Sequence, residues 1–131
     1  MTIQGVVNAQ LEAVLRMRVR GPTGDEAEID ALVDTGYTGS LTLPGSLIGS
    51  LGLVRRSGGR AVLADGSSRR FDTFAAEVAW GGSWRGIVVS ALSDEVLAGM
   101  GLLAGHELRV EVAANGAVTV VPLVQAGSTS P

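Results

Sequence analysis

The sequence predicts an all-β protein with one or two short helices. Nineteen glycines are spread through 131 residues. The apolar runs between them are mostly short, and the longer runs alternate with polar residues at period two. The length suits one hydrophobic core and is too small for two. With 46% hydrophobic and 18% charged residues the chain has the composition of a folded domain.

Taken in order, "LEAVLRMRVR" (11–20) sets Leu11, Ala13, Leu15, Met17 and Val19 against Glu12, Arg16, Arg18 and Arg20, a strand with one wet face. "GPTGD" turns the chain. "EAEIDALVD" (26–34) runs back, alternating at first and then fully apolar at Leu32 and Val33, so its far end is expected to be buried. "SLTLP" reads as a further strand. In "LPGSLIGSLGL" (43–53), Leu47, Ile48 and Leu51 have helical spacing and Pro44 suits a first turn, which predicts a short helix. "RAVLADGSSRRFDTFAAEVAW" (60–80) predicts a hairpin about a two-residue Asp65-Gly66 turn. Gly81-Gly82 turns the chain into "SWRGIVVSAL", and "LRVEV" with "AVTVVPL" forms a last hairpin about Asn115-Gly116. Residues 1–124 are thus expected to form one domain, followed by a disordered tail, "QAGSTSP" (125–131).

Composition narrows the function. The net charge is −3, with arginines and acids interspersed, and no basic block or aromatic-plus-arginine stripe points to nucleic acid. The absence of cysteine removes disulfides, cysteine-ligated zinc and a cysteine nucleophile. The N-terminus lacks the pattern of a signal peptide. The uncharged windows 35–54 and 112–131 are too rich in Gly, Ser, Thr and Pro for membrane helices. A cytoplasmic protein with no membrane partner is expected.

A serine triad would have to use His106, the single histidine, yet no serine sits in a G-x-S-x-G elbow. One histidine and no cysteine leave only scattered carboxylates for a metal, so no metal or cofactor is expected. "GMGLLA" (99–104) has the outline of a dinucleotide fingerprint, but no βαβ unit follows and Thr119 stands where an acid would be needed.

The remaining candidate is Asp34. In "ALVDTGYTGSLTLP" (31–44) an apolar strand drives into a carboxylate followed by Thr35 and Gly36, and a second strand starts almost at once. An Asx-type turn would explain Asp-Thr-Gly alone. A carboxylate carried into a buried place is costly unless something uses it. Downstream, "VLAGMGLL" (96–103) supplies an apolar strand that ends in Gly99 and passes into a short helix.

Together these elements resemble the retropepsin-like aspartic proteases, the single-lobe relatives of pepsin and of the retroviral proteases, over roughly residues 10 to 123. "DTGYTGSLTLP" and "GMGLLAGHEL" look most like the small bacterial members. The resemblance implies a closed β-barrel of the pepsin-lobe type that dimerises across its active site. It makes Asp34 the catalytic acid. Thr35 would bond the partner subunit's equivalent loop and Gly36 would permit the close turn. Leu97, Ala98 and Gly99 would support that loop, and Ala64, Asp65, Gly66 and Ser67 would form the tip of a flap over a peptide or protein substrate, with Tyr37 beside a hydrophobic subsite. Only one Asp-Thr-Gly is present, so the second carboxylate must be Asp34 of another molecule in a homodimer. Two departures stand out. Thr38 and Met100 occupy the positions of an acid–arginine brace in the retroviral enzymes, and the flap tip "ADGSS" is polar. They leave an alternative: a dimeric peptide-binding module with weak chemistry or none.

Overall fold

The structure, a computed structural model, describes residues 2–124. The expected tail lies outside them. The chain is mostly β-sheet. Its elements are β1 (Ile3–Val7), β2 (Ala13–Arg20), β3 (Glu26–Val33), β4 (Leu41–Thr42), α1 (Gly45–Ser50), β5 (Val54–Val62), β6 (Ser68–Trp80), β7 (Ser83–Ser90), β8 (Leu97–Ala98), α2 (Met100–Leu103), β9 (His106–Val110) and β10 (Ala117–Pro122).

The ten strands pair in the order β5-β6-β7-β4-β8-β3-β2-β1-β10-β9, and β6 pairs again with β2 through Val19↔Val78 and Arg20↔Glu77. β2 and β3 are antiparallel, with Leu15 opposite Ala31 and Met17 opposite Ile29. Their period-two pattern buries these residues together with Val19. The opposite face carries Arg16, Arg18, Glu26 and Asp30. There Arg16 reaches Asp30 at 2.9 Å and Arg18 reaches Glu26 at 3.2 Å, exposed pairs that solvent screens strongly. Leu41, Leu43, Ile48, Leu51, Val78, Val89, Leu102 and Val118 complete one core. Burying each such side chain stabilises the fold by about 1.5–3 kcal/mol.

Three details differ from expectation. Leu11 does not continue the alternation of β2; it is exposed at φ 61° in the turn before the strand. The strand β1 is an element that alternation alone does not predict. The β5–β6 hairpin turns through three residues, Ala64–Gly66, not two: the Leu63 N–H donates to the Ser67 carbonyl and the Gly66 N–H to Leu63, with Gly66 at φ +86°. Gly81 and Gly82, both at positive φ, do form the expected two-residue turn between Trp80 and Ser83. The window 35–54 is a loop, a two-residue strand and a six-residue helix. No described helix is long and apolar enough to cross a membrane.

Candidate active site

β3 delivers Asp34 to a loop, residues 34–40, that leads into β4. β8 lies between these two strands. It runs parallel to β3 (Leu32↔Leu97, Val33↔Ala98) and antiparallel to β4 (Leu41↔Ala98). The loop therefore crosses over the end of β8, where the chain must turn at Gly99 into α2.

The backbone of that crossing is heavily bonded. The Asp34 N–H donates to the Ala98 carbonyl at 2.9 Å. In return the N–H groups of Gly99, Met100 and Gly101 donate to the carbonyls of Ser40 (3.0 Å), Tyr37 (2.7 Å) and Gly39 (3.0 Å). Donors at a helix start have no partner within the helix. Here the loop supplies their acceptors, and the helix start fixes the loop. Such close backbone approach leaves no room for side chains. A Cβ on Gly99 would stand 2.7 Å from the Tyr37 carbonyl oxygen, and one on Gly101 would stand 2.9 Å from that of Thr38. The fingerprint-like "GMG" is thus explained by packing against the Asp34 loop.

Asp34 is half buried. Its Oδ1 accepts the Gly36 N–H at 2.9 Å, the Asx turn that the sequence allowed. Among the described residues no arginine lies within ion-pair distance of this carboxylate. Thr35 and Gly36 are exposed at the crest of the loop. Thr35 borders a concavity of about 350 Å³ with Met100, Leu103 and His106. Tyr37 is half buried, and its hydroxyl donates to Ser90 Oγ at 3.1 Å, bracing the loop against the end of β7.

Thr42 escaped sequence reasoning. It is fully buried; its hydroxyl donates to the Glu95 carbonyl at 2.6 Å and accepts the Leu97 N–H at 2.8 Å. These two bonds lock the entry of β8 beside β4. The only sequence signal was a threonine between two leucines.

The structure brings Asp34, Thr35, Gly36 and Tyr37 together with Leu97, Ala98 and Gly99. The turn expected to be a flap tip stands apart. Ala64, Asp65, Gly66 and Ser67 are all exposed, and among the described residues no hydrogen bond or strand pairing joins them to the Asp34 loop. Within the tip, Asp65 Oδ1 accepts both the N–H and the hydroxyl of Ser67, and these bonds hold its pKa below the usual carboxylate range. A concavity of about 600 Å³, lined by Arg20, Ser40, Arg56, Glu77, Arg85 and Ile87 among others, meets the loop at Ser40; Asp34 does not line it.

His106 is committed elsewhere. Its Nε2 accepts the Trp80 indole N–H at 3.2 Å, which assigns the ring hydrogen to Nδ1 and makes it a donor to the Ala104 carbonyl at 3.0 Å. No nucleophilic serine uses it among the described residues. Nor do three or more carboxylate or histidine groups converge there in a metal-binding cluster.

Compared with family models, with curated proteins and with solved structures, the chain matches none.

Proposed function

We propose that this chain is a retropepsin-like aspartic endopeptidase, active as a homodimer in which two Asp34 carboxylates activate one water. The observation that carries the reading is the state of Asp34. It is a half-buried carboxylate with no cation beside it among the described residues, at the end of an apolar strand, on a loop whose backbone is clamped by the inserted strand and the helix after it. Positional rigidity of this kind is what a catalytic carboxylate needs and a turn cap does not. The second β6–β2 pairing supports the closed barrel, because β2, β3, β8, β4, β7 and β6 then follow one another in a ring.

The chemistry follows from bringing the two loops together. Two carboxylates about 3 Å apart do not both ionise, so the pair holds one proton. The ionised member takes a proton from water as it attacks the scissile carbonyl; the protonated member donates to the carbonyl oxygen. The pair titrates as a unit, and the roles exchange between subunits. The exposed Thr35 and the exposed Met100 nearby supply a surface on which a second loop can rest. Without the acid–arginine brace, contacts of this kind have to hold the dimer.

The second reading, a dimeric peptide-binding module, is favoured by the exposed polar flap tip at Ala64–Ser67. Incubating a diverse peptide pool from acid to neutral pH with the wild-type chain and with Asp34→Asn separates the two. Cleavage by the wild type alone is the expected result. Peptide binding by both with cleavage by neither would favour the module.

A further inference from the structure

The charges of this chain are sorted by the fold. The hairpin segment 54–75 holds five arginines against two carboxylates, net +3, and the remainder holds five arginines against eleven carboxylates, net −6. β6 loses β7 as a neighbour beyond Thr73↔Ser90, and past one further bond, from the Ala91 N–H to the Asp72 carbonyl, the hairpin pairs only with itself. Along β6, Ala76, Val78 and Trp80 face the core. Alternation carries the same face outward to Phe74, Asp72 and Arg70, and the register sets Arg60 directly opposite Arg70. Arg55 is tied to Asp72 at 3.0 Å. Among the described residues Arg60 and Arg70 have no carboxylate within ion-pair distance. Both border a groove of about 450 Å³, with Phe71 and the side-chain-free Gly58 and Gly59 beside them. Like charges directly opposed across a ladder destabilise it. Two unpaired arginines at such a pair suit an anion from outside the chain, and their planar forks match a carboxylate.

We infer that Arg60 and Arg70 form a subsite for acidic side chains, and that the peptides this protein takes carry Asp or Glu where they pass under the flap. This inference rests on the flap reading of the hairpin and names the substrate class of the same site. The two arginines determine specificity.

The test uses full-length Asp34→Asn and fluorescent peptides of matched apolar content carrying Glu, Gln or Lys at the variable positions. The Glu peptides are expected to bind at least about tenfold more tightly than the Gln peptides, as charge-assisted bonds imply. The preference should shrink as salt rises. The double change Arg60→Gln with Arg70→Gln should abolish it and leave thermal stability equal or higher, since a repulsive pair is removed. Equal binding of Glu and Gln peptides, or a preference that survives the double change, overturns the inference. A single-stranded oligonucleotide of equal charge that displaces the Glu peptide as well as unlabelled Glu peptide does also overturns it, because the patch would then read charge alone. The endopeptidase reading fails separately: a wild-type chain that cuts none of the peptides Asp34→Asn binds ends that reading and leaves the acidic subsite standing.

Discussion

Asp34 and Ala98 are joined through the backbone, the Asp34 N–H donating to the Ala98 carbonyl at 2.9 Å. The residues lie 64 positions apart in the chain, and their bond ties the candidate catalytic loop to a strand of two residues. Everything proposed for the site depends on that crossing staying rigid.

Gly99→Ala tests the crossing. The new methyl would meet the Tyr37 carbonyl at 2.7 Å and the Tyr37 ring still closer, so the loop must shift. Overpacking of this kind costs about 1–3 kcal/mol. Denaturant unfolding should show that loss, and peptide cleavage should fall by more than the loss of folded protein explains.

Thr42→Val keeps the shape and removes both hydroxyl bonds, leaving the Glu95 carbonyl and the Leu97 N–H without their partner. The expected cost is about 1–3 kcal/mol. Hydrogen exchange should quicken at the Leu97 amide before it does so in β2 or β6.

The turn at Asp65 carries its own pH dependence. The Asp65 pKa is depressed in the fold by the Ser67 hydroxyl and the Ser67 N–H. The support those bonds give the turn is complete above the ordinary carboxylate range and is lost as pH falls through the depressed value. Ser67→Ala removes the hydroxyl and keeps the N–H. An NMR titration of the Asp65 carboxyl should therefore move upward without fully reaching the ordinary value.

Thr35→Ala bears on the proposed dimer. Thr35 is exposed and makes no side-chain hydrogen bond within its own chain among the described residues. Sedimentation should show weaker self-association of the variant with unchanged monomer stability. An unchanged association constant would contradict interlocked loops.

Much of the fold was legible because period two is a strong local signal. β2, β3, β6 and β7 follow directly from alternation and from glycine-bearing turns. β1 was not, since "IQGVV" is short and its place is fixed by pairing with both β2 and β10. Asp34, Gly36 and Gly99 were visible because carboxylates and glycines in apolar surroundings need a reason. Thr42, Gly39, Gly101 and Ser90 were not: their roles arise from contacts across 53 to 62 residues of chain, and no local pattern encodes them. The arginine pair at Arg60 and Arg70 was hidden in the same way, because charges that look interspersed in sequence become opposed only through hairpin register.

The central claim is that two Asp34 carboxylates, one per subunit, share one reaction. Mixing wild-type and Asp34→Asn subunits at constant total concentration, allowing exchange, and measuring peptide cleavage tests it most directly. Activity should fall as the square of the wild-type fraction, because only dimers with two intact acids work. A linear fall would mean that each Asp34 acts alone, and no cleavage by the pure wild type would remove the endopeptidase reading altogether.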